Sequence, residues 1–219
     1  AAAAIGARAL GPAGPDAPER IVLYFHQDEH ARARLLASPD LLRLPAGLRR
    51  LAPFSDDPRT PFGWAPMRPS FEARADPLER QAPAWEPLEQ ERRGERLRFR
   101  GRLRSLRGAR ELQLAFPPEV EVLAFAFDGQ EVARPVRRVR DWFGGWTVYR
   151  NLSAPPEGTE VEATVRRTRG GPVALQVADV SPGLPPGSAA LAAARSQVAV
   201  AFQEGDLTLF TRNLPLEVD

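Results

Sequence analysis

The sequence predicts a mainly β protein: a β-sandwich of about eight to ten short antiparallel strands behind an irregular, Pro-rich N-terminal extension carrying short helices. Three observations predict it. The 219 residues include 23 Pro and 17 Gly, which punctuate the chain into many short elements. From about residue 88 onward, apolar and polar residues alternate in short runs, as strands with one buried face require. Between those runs lie turn signals, above all the hairpin pair Asp128-Gly129.

Taken in order, residues 1–18 end in "GPAGPDAP" and are expected to be a linker or the remnant of a membrane helix. Residues 19–87 are expected to form a strand plus an irregular extension packed on the β-domain. "RIVLYF" (Arg20–Phe25) is the β-type run. The breakers Pro39, Pro45, Gly47 and Pro53 then allow only short helical turns. Ser55–Pro87 is Pro-rich without a sustained period, and is expected to lay Phe62, Trp64, Phe71 and Trp85 onto another element. Residues 88–219 are expected to form the sandwich. Its strand candidates are "ERLRFRGRLRS", "RELQLAF", "EVEVLAFAF", "QEVARPV", "WTVYRNL", "TEVEATVRRT", "PVALQVADV", "QVAVAF" and "DLTLFTRNLPL", with an Ala-rich piece at Ser188–Arg195.

Charge and composition exclude several function classes. All 30 basic residues are Arg, against 28 acids, for a net charge of +2. That balance does not fit a strong nucleic-acid binder, so no nucleic-acid partner is expected. The absence of Lys rules out a phosphate-binding G-x-x-x-x-G-K-[ST] loop. The absence of Cys rules out disulfides, thiolate catalysis and Cys-based zinc sites. No G-x-S-x-G nucleophile elbow is present.

Three candidate sites remain. The two histidines fall in "HQDEH", where His26, Glu29 and His30 fit the H-x-x-E-H pattern of one class of zinc peptidases. On a helix, that spacing puts both imidazoles on one face, with the glutamate as general base on zinc-bound water. Here the motif follows a strand, and a third ligand would have to be an Asp or Glu. A polar strand-to-loop exit is the preferred reading. Next, "RLRFRGRLR" puts Arg96, Arg98, Arg100, Arg102 and Arg104 on one strand face and Leu97, Phe99 and Leu103 on the other. That ladder is either an anion-binding stripe or a solvent face neutralised by Glu119, Glu121, Glu160 and Glu162 on neighbouring strands. Finally, Trp142, Phe143, Trp146 and Tyr149 of "DWFGGWTVY" either stack on sugar rings or join the core.

The strand-rich half carries a recognisable order of phrases: "SLRGA", "DGQEV", "PEGTEV" and "SPGLP" in succession, then "GDLTLFTRNLPL". It resembles the C-terminal extracytoplasmic domain of membrane-bound zinc peptidases of the aminopeptidase Y type, the group that includes endoplasmic reticulum metallopeptidase. "PERIVLYFHQDEHARA" resembles the segment by which those chains leave their last membrane helix. The resemblance implies a non-catalytic domain outside the cytoplasm, periplasmic or on the outer membrane face, attached through an upstream membrane segment. Its role would be structural, substrate-recruiting or protein-interacting. Its partners would be the parent peptidase and membrane domains, with peptide substrate or a second copy as further partners. Zinc would belong to the parent peptidase domain and no cofactor to this chain. No position here matches the family's zinc ligands, so no catalytic residue carries over. The alternatives are a stand-alone module for anionic polysaccharide, using the Arg ladder, and an independent zinc hydrolase, using "HQDEH".

Overall fold

A computed structural model describes residues 19–41, 43–64, 69–133, 145–168, 173–201 and 205–216. The fold is mainly β. Twelve strands are present among these residues: β1 (Ile21–Gln27), β2 (Ala33–Pro39), β3 (Phe71–Arg74), β4 (Ala84–Arg93), β5 (Arg96–Arg104), β6 (Glu111–Phe116), β7 (Val120–Phe127), β8 (Gln130–Glu131), β9 (Thr147–Asn151), β10 (Thr159–Arg167), β11 (Val173–Pro182) and β12 (Leu207–Leu216). The helices are α1 (Ala46–Arg49) and α2 (Ala189–Ser196), the latter entered through a 3₁₀ turn at Pro186–Ser188. No described helix is long and apolar enough to cross a membrane.

The strands form a seven-stranded sheet, β3-β2-β1-β12-β11-β6-β9, and a five-stranded sheet, β4-β5-β10-β7-β8. This corrects the expected count of eight to ten, because residues 19–74 supply three strands to the larger sheet. It also corrects the purely antiparallel expectation, since β1 runs parallel to β12. Proline misled the count in part. β4 carries Pro87, which an edge strand tolerates because its outer N–H has no ladder partner to lose. The register slips between Pro87 and Glu89, as a β-bulge does.

The two sheets share one core. Leu97, Phe99 and Leu103 of β5 and Val161, Ala163 and Val165 of β10 cluster with Leu114 and Phe116 of β6 and Leu175 and Val177 of β11. Aromatic rings cross between the sheets: Phe125 of β7 stacks on Tyr149 of β9 at 3.8 Å and meets Phe116 of β6 edge-on at 5.9 Å. β7 reaches this core through a change of phase. Val120 and Val122 point inward, and so do Phe125 and Phe127. The register shift opposite Thr164 and Val165 absorbs the extra residue, so both pairs stay buried. β7 then turns into β8 through Asp128 and Gly129, both at positive φ (48° and 76°), as the sequence predicts for a tight hairpin.

Beyond this core, β1–β3 pack on the helices, with Ile21, Leu23, Phe71 and Ala73 against Leu48 of α1 and Leu191 of α2. The opposite face of the large sheet is covered by the loop after α1. Phe62 and Trp64 pack there on Leu36, Ala178, Val180 and Leu209, and the Trp64 indole donates to Gln176.

Two buried ion pairs fasten these layers. Arg107, in the β5–β6 turn, donates from Nε to Asp179 at 2.7 Å and from Nη2 to the Thr208 carbonyl at 2.9 Å. It also donates to Ser181 and lies over the Phe210 ring. Arg195 of α2 donates to Asp206 at 2.6 Å, and Asp206 accepts the Leu23 amide at 3.1 Å.

Two substitutions test this packing. Arg107→Ala strands a fully buried Asp179, so urea unfolding should show a loss of about 3–5 kcal/mol. The exposed control Arg98→Ala should stay within about 1 kcal/mol. A methyl group on Gly101 of β5 would collide with the Trp85 ring and come within 2.8 Å of the Glu86 carbonyl. Gly101→Ala should therefore cost about 1–3 kcal/mol in the same assay.

Candidate functional site

β1 ends at Gln27, and Asp28 organises the turn that follows. Its Oδ1 accepts from the backbone N–H groups of His30 and Arg32, each at 2.9 Å, and its Oδ2 accepts from Arg32 Nε at 2.7 Å. Burial acts to raise the Asp28 carboxyl, but the hydrogen bonds from Arg32 and His30 outweigh it and hold the group below its ordinary range. The chain re-enters the sheet as β2, which places Arg34 opposite His26 and, on the next strand, Arg74 opposite Arg34. These three side chains therefore share one sheet face.

His26 is buried, and both ring nitrogens are engaged. Nδ1 accepts from Arg34 Nε at 3.1 Å, so the proton sits on Nε2, which donates to Thr211 Oγ1 at 2.8 Å. The ring meets Phe62 edge-on at 4.7 Å. Burial, with Arg34 beside it, lowers the imidazole pKa from 6.5 to about 3, so His26 is neutral at ordinary pH. Arg34 continues the network, donating to Glu72 at 2.9 Å and to the Pro61 carbonyl at 3.4 Å. An open cleft of about 680 Å³ lies against these groups, also lined by Asp28, Arg32 and Arg74.

The other residues of "HQDEH" face elsewhere. His30 is exposed and 3.8 Å from Glu29. Glu29 Oε1 accepts from the Asn213 side chain at 3.0 Å. Among the described residues, no group of three or more His, Asp or Glu is placed to hold a metal.

On β5, Leu97, Phe99 and Leu103 are buried while Arg96, Arg98, Arg102 and Arg104 are exposed and Arg100 half-exposed. The flanking strands supply acids. Arg98 pairs with Glu162 at 2.8 Å and Arg100 with Glu160 at 2.6 Å, both on β10. The Arg100 hydrogen bond holds the Glu160 carboxyl below its ordinary range. On the other side, Glu86, Glu89 and Glu91 of β4 stand opposite Arg102, Arg100 and Arg98. Arg96 has arginines on both sides, Arg93 and Arg166, which turn to Glu91 and Glu121. The middle of the ladder is thus an alternating mosaic of charge, and among the described residues the arginines with no carboxylate opposite them in the register, Arg96 and Arg104, stand at its ends.

Of the aromatic candidates, Trp142 and Phe143 lie outside the described residues. Trp146 packs with Phe62 and Trp64 on one face of the large sheet, and Tyr149 faces the core between the sheets. These two rings share no platform.

Sequence reasoning passed over Arg34, Glu72 and Arg74. The signal was present in "ARARLL" and "FEAR", where charges alternate with small or apolar residues as in half-buried strands.

No protein-family profile and no curated protein matches the chain. Among solved structures, it is similar to the Fcho1 Mu homology domain of Danio rerio with bound Eps15 peptide, at 12% identity and a TM-score of 0.35, over 90% of this chain and 94% of that one. It is also similar to the N-terminal domain of PorA, at 13% identity and a TM-score of 0.25, over 63% of this chain and 90% of that one.

His26 makes acid stability testable. Its folded-state pKa lies below the unfolded value, so on acidification the unfolded chain takes up a proton that the folded chain refuses. The contribution of His26 is fully present above pH 6.5 and is lost as pH falls toward about 3. Unfolding free energies measured between about pH 6.5 and 4 should slope less steeply in His26→Gln than in the parent. Equal slopes would mean that the ring is not held neutral by its burial.

Proposed function

We propose that this chain is a non-catalytic β-sandwich domain of a membrane-anchored zinc aminopeptidase, positioned outside the cytoplasm. It acts there as a structural, substrate-recruiting or protein-interaction module. The observation that carries this reading is the ordered set of phrases by which the chain resembles that family. "SLRGA" (105–109) falls in the β5–β6 turn and "DGQEV" (128–132) at the β7–β8 hairpin. "PEGTEV" (156–161) leads into β10, and "SPGLP" (181–185) closes β11. Phrases that fall in order at the turns and strand ends of one β architecture support a common framework better than isolated matches do.

The alternating charge of β4, β5 and β10 supports an interaction role of a particular kind. A surface of interleaved Arg and Glu complements another protein surface of mixed charge. A polyanion would meet Glu86, Glu89, Glu91, Glu160 and Glu162 beside every central arginine, so anionic polysaccharide is the weaker reading. Zinc belongs to the parent peptidase in this proposal, and no residue of this chain is assigned to it.

Fractionation of native cells, with an antibody against this domain, tests the proposal. A band far above 24.1 kDa that pellets with membranes is expected. A soluble band at that mass would overturn it.

A further inference from the structure

The cleft at the ends of β1, β2 and β3 has a charge count of its own. Its cations are Arg32, Arg34 and Arg74, and its anions are Asp28 and Glu72. Arg32 pairs with Asp28 at 2.7 Å and Arg34 with Glu72 at 2.9 Å. Arg74 has no anionic partner among the described residues. One unmatched guanidinium therefore borders the cavity.

Arg34 is held from four directions. Its Nε donates to His26, and its two Nη groups donate to Glu72 and the Pro61 carbonyl. Its guanidinium lies over the Phe62 ring at 5.1 Å. A guanidinium fixed in this way loses little freedom when a ligand arrives. The remaining lining includes Ala31 and Ala75, whose short side chains leave the space open.

We propose that this cleft binds a ligand through a single carboxylate, with Arg74 as the principal contact and Arg32 and Arg34 beside it. Guanidinium and carboxylate match as planar, two-pronged donor and acceptor. The surplus of one positive charge fits a monoanion. A phosphate dianion would add uncompensated negative charge next to Asp28 and Glu72. Two sources present this chemistry: a small free carboxylate and the C-terminus of a peptide. The inference rests on the cleft alone and does not depend on membrane attachment.

The test is an NMR titration of the ¹⁵N-labelled, full 219-residue chain. The probes are N-acetyl-Ala-Ala as free acid, the same peptide as C-terminal amide, and sodium acetate. The free acid should shift the backbone amides of Arg32, Arg34 and Arg74 to saturation, and the amide should not. Added salt should weaken the effect. Acetate binding as well as the free acid would identify a small carboxylate as the ligand; weaker acetate binding would identify a peptide C-terminus. Arg74→Gln should lower affinity about tenfold, with the rest of the spectrum unchanged. The proposal is overturned if neither acid gives saturable shifts, if the amide binds equally, or if Arg74→Gln binds as the parent does.

Discussion

β12 is the constraint on which the rest of the fold depends. It lies between β1, to which it runs parallel, and β11, to which it runs antiparallel along its whole length. Without it, β1–β3 would have no ladder connection to the remaining strands of either sheet. The contact joins residues more than 180 positions apart, so it forms only after a large loss of chain entropy. Other interactions converge on the same place to hold it. Arg20 bridges to Val200, Arg195 reaches Asp206 just before β12, and Arg107 binds the Thr208 carbonyl within it.

All 30 Lys or Arg positions are arginine, and burial decides what each one does. Arg107 and Arg195 are almost fully buried, and each pairs with a carboxylate and donates to a backbone carbonyl. In a low-dielectric interior such partners are obligatory, because an unmatched charge there is costly. Burial itself pushes the Asp179 carboxyl upward, and Arg107 and Ser105 pull against that shift. The arginines of β5 face water, where pairing with Glu160 and Glu162 adds little stability. Arg34 lies between these extremes. It is partly covered, held by His26, Glu72 and the Pro61 carbonyl, and next to open space.

His26 illustrates how a motif can mislead. "HQDEH" puts two imidazoles four residues apart, a spacing that brings side chains together only on a helix. In this fold His26 is the sixth residue of a seven-residue strand, while Glu29 and His30 belong to the turn beyond it. The histidine contributes as a neutral acceptor that orients Arg34, a role that depends on strand pairing with β2.

The sequence by itself determined the local order of the β5–β12 region. Alternation in "RLRFRGRLR" set which side of β5 is wet, and Asp128-Gly129 set the hairpin. Glu160 and Glu162 were legible as partners of the arginine face because both strands share a period of two. Tertiary structure alone decided the parallel pairing of β1 with β12 and the strand character of segments crowded with proline. It also decided the meeting of His26, Arg34, Glu72 and Arg74 at one cleft. The physical reason is range. Periodicity and turn chemistry act over a few neighbouring residues, whereas the register between distant strands is set by which apolar faces can be buried together.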